Sequence, residues 1–373
     1  MSGAAIVGVT FGLGRYSYGL FLPEIRADYG LSSGTLGLIA TAATATYLAA
    51  TVVAPALTIR SGARTPVLAG GLVAAAGMAV VALSTSALVL AVGVVVAGAS
   101  AGLAFTPYSA VVARRVAPVA RERSLTIISA GTGLGVVVAA PLALAAGDSW
   151  RAAWAVFAVI AIVVSVWSAR VLGRDPVATS PSPASPVRLP AGAWRMLGAA
   201  ALAGLGSAIY WTFAVDLVAR AGALPRSSGS ALLAGVGIAG IAGGLAGDLV
   251  ARLGLRRALR AVVVVLAASL AVLPLAASSW VGVVCSSLMF GAAYIFVTGA
   301  LAIWSSRLYA DAPSHGLATM LVALFAGQIL GPTLAGVVAD RWDLDTAFFL
   351  GAAVVMASLA LAPPHHTAVR HSS

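Results

Sequence analysis

Apolar runs of about 20 residues follow one another along the whole chain, separated by short polar stretches. An α-helix needs about 20 mostly apolar residues to cross the hydrocarbon core of a bilayer. The chain is 61% hydrophobic and only 9% charged, which is too little charge to cover a water-soluble domain of 373 residues. We therefore predict an integral membrane protein. Its spans are expected to be helices, because the runs do not alternate as the strands of a membrane β-barrel do.

Twelve of these runs are long enough to be spanning helices. They cover approximately 3–22, 35–57, 66–84, 87–112, 125–146, 152–172, 194–219, 229–250, 258–277, 280–304, 315–338 and 346–362. Residues 173–193 are rich in Pro and Ser, a composition typical of an extended linker, and they separate six runs from six. The sequence therefore predicts an all-α membrane protein with six-helix bundles over 1–172 and 194–362, followed by a cytoplasmic tail over 363–373.

The basic residues decide the predicted orientation. All 22 are arginines, and with cytoplasmic termini 16 of them fall in inner loops and the tail and five in outer loops. Short loops rich in basic residues stay on the cytoplasmic side of the membrane. We therefore expect a multi-pass protein of the cytoplasmic membrane with both termini in the cytoplasm. The same bias accounts for the net charge of +11, so this charge does not indicate a nucleic-acid partner.

The two halves of the chain repeat each other. Residues of the same chemical type recur 192 positions apart, at matching places in the two sets of six runs. The matching pairs are Tyr18 and Tyr210, Glu24 and Asp216, Arg60 and Arg252, Gly62 and Gly254, and Arg64 and Arg256. This register predicts two tandem six-span repeats, an arrangement that secondary transporters use.

Three motifs carry a family resemblance. R-x-G-x-R follows the second and eighth runs, "RVAPVARERS" follows the fourth, and "DSWRAAWAVF" opens the sixth. With twelve spans in two parallel halves, the chain resembles the major facilitator superfamily over its whole length. The resemblance implies a monomeric transporter that works by alternating access. It also implies that spans 1, 4, 7 and 10 line a central cavity and that spans 2, 5, 8 and 11 form the rocking interface.

The chain departs from the pattern of that family at several places. Ile59 and Ala251 replace the acid of the loop motif, and the proline–glycine element of the fifth span is reduced to "AAPLALA". These losses argue against a typical drug/proton antiporter. Glycines four residues apart suit the rocking interface, and generic helix packing is the alternative explanation. Such pairs in spans 5, 8 and 11 are Gly131/Gly135, Gly240/Gly244, Gly243/Gly247 and Gly327/Gly331.

Arg15 is a charged residue within the otherwise apolar first span, and its position needs an explanation. It lies eight residues before Pro23, about 12 Å from the end of the span at 1.5 Å per residue. An unpaired arginine near the middle of a bilayer costs at least about 2.5–3.5 kcal/mol, and a guanidinium stays charged. Arg15 therefore either binds an anionic substrate in a cavity or pairs with a structural acceptor such as Glu24, Asp216 or a carbonyl group.

Further site residues are predicted from their types and their spans. Regular helical spacing places on one stripe Phe11, Arg15, Tyr18 and Gly19, with Tyr16 to the side. The predicted substrate-binding residues are Arg15, Tyr18, Tyr108, Tyr210, Trp211, Tyr294 and Gln328. The proton-coupling candidates are Asp216 and Glu24, and an acid in a wet vestibule is the alternative for Asp216. The predicted cytoplasmic gate comprises Arg60, Gly62, Arg64, Asp248, Arg252, Gly254 and Arg256. The sequence predicts neither a catalytic set, a metal site nor a cofactor.

The predicted function is secondary transport of a small organic solute, and Arg15 favours an anion. The sequence has no Walker A phosphate loop, so we expect an ion gradient, most simply of protons, or the gradient of the substrate itself to drive transport. One alternative is proton-driven efflux of a non-anionic solute. A second is a transporter-like sensor that binds a ligand without flux. A membrane enzyme is the third, and it would need a catalytic cluster.

Overall fold

The computed structural model describes residues 1–147, 149–173, 189–242, 246–310 and 312–363. Every regular element in these ranges is helical, which confirms the predicted all-α class. Most of the predicted linker and nearly all of the predicted tail lie outside the described residues, so both remain predictions.

The helices follow the predicted spans in order. In the first half, α1 consists of Ser2–Val7, a π-helix Gly8–Tyr16, Ser17–Leu20 and Leu22–Tyr29, and it is followed by α2 (Ser33–Ser61), α3 (Arg64–Ala82), α4 (Ala87–Arg115), α5 (Pro118–Ala146) and α6 (Trp150–Leu172). The second half consists of α7 (Ala193–Ala221), α8 (Ser227–Ala242 and Ala246–Leu253), α9 (Leu255–Ala276), α10 (Trp280–Leu308), α11 (Pro313–Arg341) and α12 (Leu344–Ala357, continued by the 3₁₀-helix Ser358–Leu361).

Ten helices in the described residues are long and apolar enough to cross a membrane. They correspond to ten of the twelve predicted spans. Of the other two, α1 is divided into shorter helical segments, and α8 is described on either side of residues 243–245, which lie outside the described residues. In α1, Phe21 interrupts the helix, and Pro23 lies in the first turn of Leu22–Tyr29. A proline is tolerated there because the first N–H groups of a helix have no partner within that helix.

Glycine lets α1 and α5 approach each other within the first half. A Cβ atom at Gly12 would overlap the backbone of Gly135, and one at Gly131 would overlap the carbonyl group of Ala4. The second half has the same contact between α7 and α11, where a Cβ atom at Gly327 would overlap the backbone of α7. Because α7 and α11 are the repeat partners of α1 and α5, the packing agrees with the tandem repeat seen in the sequence.

Different glycines lie between the two halves. A Cβ atom at Gly19 of α1 would overlap the carbonyl group of Trp211 on α7, and one at Gly37 of α2 would overlap the backbone of α11. Gly133 of α5 faces Gly237 of α8. Helices α2, α5, α8 and α11 thus meet between the halves as expected, but the glycine pairs assigned to this interface in α5 and α11 pack inside their own halves. The two pairs assigned in α8 include Gly243 and Gly244, which lie outside the described residues. Four-residue spacing marks a close approach without specifying which neighbour approaches.

Polar contacts join the halves at one end of the helices, which we call the closed end. The carboxylate of Asp340, at the end of α11, accepts hydrogen bonds from the backbone N–H groups of Ser33 (2.7 Å) and Gly34 (2.8 Å) at the start of α2. Such N–H groups lack partners within the helix and attract negative charge. At the same end, Arg26 of α1 forms an ion pair of 2.8 Å with Asp216 of α7.

The opposite end, which we call the open end, carries the predicted gate. Gly62 after α2 and Gly254 after the eighth span have φ angles of 74° and 75°, a region that favours glycine. The backbone therefore turns in the same way at Gly62 and at Gly254, the equivalent positions of the two repeats. No hydrogen bond or ion pair between described residues joins the gate residues of the two halves. The remaining predicted gate residues at this end are Arg60, Arg64, Asp248, Arg252 and Arg256.

Gly131→Ala is expected to destabilise the protein, because the added Cβ atom would overlap the Ala4 carbonyl group and push α5 away from α1. Overpacking of this kind costs about 1–3 kcal/mol. The melting temperature of the purified protein in detergent measures the effect. Gly240→Ala is the matched control, because the atom nearest to its Cβ position, on Ile295, lies 3.6 Å away. Equal melting temperatures for the two variants would contradict the packing.

Candidate functional site

Arg15 lies in the π-helical segment of α1, where the two halves meet. Its Nη2 atom donates a hydrogen bond to Oε1 of Gln328 on α11, 2.9 Å away. Gln328 is 3% exposed, and its Nε2 atom donates to the hydroxyl group of Tyr294 on α10 at 3.0 Å. This chain of hydrogen bonds connects the halves through neutral groups of the second half, and no acid among the described residues forms an ion pair with Arg15.

Aromatic rings surround the Arg15 guanidinium. Its Cζ atom lies 4.3 Å from the ring centre of Tyr47, 5.3 Å from that of Phe325 and 5.4 Å from that of Tyr16. A cation within about 6 Å of an aromatic face is attracted by the ring quadrupole. The rings of Tyr47 on α2 and Phe325 on α11 are themselves 4.7 Å apart. Both halves therefore contribute rings that stabilise the charge of Arg15.

One donor atom of Arg15 has no acceptor. Its Nη1 atom is buried and has no hydrogen-bond partner among the described residues. The acids that were considered as its structural partners, Glu24 and Asp216, form ion pairs with other arginines. Leaving a buried donor unpaired costs about 1–3 kcal/mol, and more for a charged group. A ligand that brings an acceptor to Nη1 would therefore be stabilised by this site.

A second side chain with an unpaired donor, Trp211, belongs to the same site. The ring of Tyr16 stacks on that of Trp211, with centres 4.1 Å apart and an interplanar angle of 24°, and this pair joins α1 to α7. The Nε1 atom of Trp211 is buried and also lacks a partner among the described residues. Arg15 and Trp211 line a cavity of about 40 Å³ together with Tyr18 and Gln328.

The structure brings together five of the predicted substrate-binding residues. Four line the cavity and the fifth bonds to one of them: Arg15, Tyr18, Trp211 and Gln328, with Tyr294. The hydroxyl group of Tyr18 donates a hydrogen bond to the carbonyl oxygen of Leu36 at 3.0 Å. Tyr18 therefore contributes its ring to the cavity wall, while its donor is used within the first half.

The other two predicted residues do not line this cavity. Tyr210 stacks on Phe290 with ring centres 3.8 Å apart, and its hydroxyl group shares a hydrogen bond of 2.9 Å with Ser286 inside the second half. Tyr108 donates a hydrogen bond of 3.2 Å to the hydroxyl group of Ser2 inside the first half. Both are buried side chains that pack within one half.

Three aromatic residues of the site, Tyr16, Tyr47 and Phe325, were not predicted from the sequence. Regular helical spacing placed Tyr16 to the side of the Arg15 stripe, but the π-helix has a wider turn than the α-helix, which changes the residues that share a face. Tyr47 and Phe325 lie on α2 and α11, which were expected to form the interface rather than the cavity. No pattern in the sequence distinguishes these two from other aromatic residues of the spans.

The two proton-coupling candidates lie at the closed end. Asp216 is 1% exposed and lies between Arg26, at 2.8 Å, and Arg220, at 3.0 Å. Glu24 forms an ion pair of 3.1 Å with Arg226, and its Oε2 atom is buried without a partner among the described residues. The two acids occupy equivalent positions in the repeat, and each pairs with an arginine from the opposite half.

Two helical repeats that meet around the part-buried Arg15 agree with the architecture expected of a major facilitator transporter. The sequence profile of the family described as "Uncharacterised MFS-type transporter YbfB" matches residues 7–362, and the chain belongs to this family. A comparison with curated proteins found no match.

Solved structures show the same fold. The nucleoside transporter NupG has a TM-score of 0.75 and 14% sequence identity over 96% of this chain and 98% of that chain. A bacterial homologue of the human lysosomal transporter Spinster, in an inward-facing and unoccupied conformation, has a TM-score of 0.72 and 14% identity over 96% and 93% of the two chains. At this identity the likeness extends to the fold and not to the substrate.

Asp216→Asn is expected to destabilise the protein, because it removes the carboxylate charge that Arg26 and Arg220 share. Breaking a buried ion pair costs several kcal/mol, and the partial exposure of both arginines limits the loss here to about 3 kcal/mol. Asp28→Asn is the control, since Asp28 pairs with Arg151 at the surface, where a pair is worth about 1 kcal/mol or less. Thermal unfolding in detergent measures the stability of both variants. Equal losses of stability would contradict the conclusion that the Asp216 ion pairs are more buried than the Asp28 pair.

Proposed function

We propose that this protein is a secondary transporter that moves a small organic anion across the cytoplasmic membrane by alternating access. The observation that carries the proposal is the Nη1 atom of Arg15, which is buried and has no partner among the described residues. A guanidinium offers hydrogen-bond donors only and matches the geometry of a carboxylate. The remaining neighbours of this charge are three rings and one amide, so an anionic ligand would supply the missing negative charge.

Alternating access is supported by the distribution of contacts between the halves. Cross-half hydrogen bonds between described residues run from Arg15 to the closed end, where Asp340 caps α2. Contacts of this kind can be exchanged for water when that end opens, whereas the glycine packing inside each half stays intact. With the orientation that the arginine bias predicts, the closed end faces the outside, and this conformation is the inward-facing one.

Coupling to protons is the second part of the proposal, and Glu24 is its best candidate. Among the described residues, Asp216 has two arginine partners, whereas Glu24 has one and its buried Oε2 atom has no hydrogen-bond partner. A carboxyl group can bind a proton at such an oxygen without breaking a second ion pair. The proton would leave when the closed end opens and Glu24 is hydrated.

Binding of the anion is tested by thermal-shift measurements with a panel of small anions and cations on the purified protein. We expect anions of the right class to raise the melting temperature by mass action. Arg15→Ala should abolish this shift, and Arg15→Lys should reduce it, because lysine lacks the planar fork. Arg341→Lys is the matched control at an exposed arginine. Stabilisation by cations alone, or an anion shift that survives in Arg15→Ala, would contradict the proposal.

Coupling is tested in proteoliposomes with Glu24→Gln. Uptake driven by a pH gradient should fall to the background level, because the amide cannot carry a proton, while exchange of labelled for unlabelled substrate should continue. Asp28→Asn serves as the control at an exposed acid on the same helix. Unchanged gradient-driven uptake in Glu24→Gln would exclude Glu24 as the proton carrier, and ligand binding without any flux would favour a sensor.

A further inference from the structure

We propose that the ligand is a monocarboxylate with a flat apolar body, and that its carboxylate group bridges Arg15 of the first half and Trp211 of the second. This inference rests on the proposed function and defines the chemical class of its substrate. It also assigns Trp211 as a binding residue through its indole N–H group, rather than through its ring alone.

The two unpaired donors point to the carboxylate. Nη1 of Arg15 and Nε1 of Trp211 are both buried, both lack partners among the described residues, and both belong to side chains that line one cavity. Neither group can accept a hydrogen bond. A ligand group that satisfies both must therefore carry two acceptor positions and no donor at this place. An ionised carboxylate meets this requirement, whereas an amide or an ammonium group would bring N–H groups of its own.

The charge of the cavity limits the ligand to one negative charge. Arg15 is the charged member of the cavity lining, and the other lining side chains are neutral. A dianion would bury a second negative charge with no counter-ion among these residues, which is unfavourable. The lining therefore favours a monocarboxylate over a dicarboxylate or a phosphate dianion.

The cavity is large enough for the carboxylate group of the ligand but too small for the rest of an organic acid. A water molecule needs a cavity volume of about 10–15 Å³, so the cavity of about 40 Å³ accommodates a few non-hydrogen atoms, as in a carboxylate group. The rest of an organic acid has to lie beside the cavity. Arg15 lies between the cavity and the place that we propose for the body of the ligand. The cavity is on the closed-end side of Arg15, where Thr44 and Pro332 line its wall.

Aromatic side chains occupy the other side of Arg15. Tyr47 follows Thr44 by one helical turn along α2, and Phe325 precedes Gln328 by one turn along α11, so both rings lie farther from the closed end. Phe11 extends this cluster, with its ring centre 5.6 Å from that of Tyr47. Rings in this arrangement pack well against a flat apolar group, by offset stacking or edge-to-face contact.

The experiment compares four probes on the purified wild-type protein by isothermal titration calorimetry in detergent. Benzoate carries both proposed features, benzamide replaces the carboxylate with a neutral amide, phthalate adds a second charge, and acetate lacks the flat body. We expect benzoate to bind at least 10-fold more tightly than each of the other three. If benzamide or phthalate binds as tightly as benzoate, the assignment to monocarboxylates is wrong. If acetate binds as tightly as benzoate, the inference that the ligand has a flat apolar body is wrong.

Trp211→Phe tests the bridge, because it keeps a ring for stacking on Tyr16 and removes the N–H donor. We expect Trp211→Phe to lose benzoate affinity by about 10-fold. Trp280→Phe, at an exposed tryptophan, is the matched control and should bind benzoate as tightly as the wild type. Unchanged benzoate affinity in Trp211→Phe would overturn the bridge. The proposed function would still stand if Arg15→Ala abolished anion binding, and it would fall if Arg15→Ala bound anions as well as the wild type. The comparison of probes needs no variant, so it decides the substrate class even if Trp211→Phe fails to fold.

Discussion

A guanidinium that cannot lose its proton has to be stabilised wherever the fold places it, and inside a bilayer the means are few. For Arg15 they are one amide oxygen and three aromatic rings, drawn from both halves of the protein. None of these groups is an anion. The contacts join the two halves at Arg15 and leave its Nη1 atom without a hydrogen-bond partner among the described residues.

Two kinds of contact hold the helices together, and they differ in how easily they can be exchanged. Inside each half, α1 packs on α5 and α7 packs on α11 through glycines that admit the backbone of the neighbouring helix. Between the halves, Gly19 and Gly37 also admit the backbone of the opposite half, and the closed end adds ion pairs and the cap that Asp340 places on α2. Water can replace the partners in these polar contacts. The polar contacts are therefore the part of the interface that is most easily exchanged.

Much of the fold could be predicted from the sequence, because it depends on properties that are local or periodic. Length and apolarity define the spans, and the 192-residue register defines the repeat. Arg15 could be assigned to the site because a charge within an apolar span has a cost wherever its helix is placed. Trp211, Tyr294 and Gln328 were recognised as candidates from their residue types and spans, and the structure brings them to Arg15.

The sequence by itself determined that the chain is a doubled helical membrane protein with a charge inside it. Only the tertiary structure decided what surrounds that charge. Tyr16 in the π-helix of α1 stacks on Trp211, packing of α2 on α1 brings Tyr47 to the guanidinium, and packing between the halves brings Phe325 there. The physical reason is that hydrophobic periodicity records which face of a helix is apolar, but not which distant helix will cover it. That choice depends on contacts between residues hundreds of positions apart.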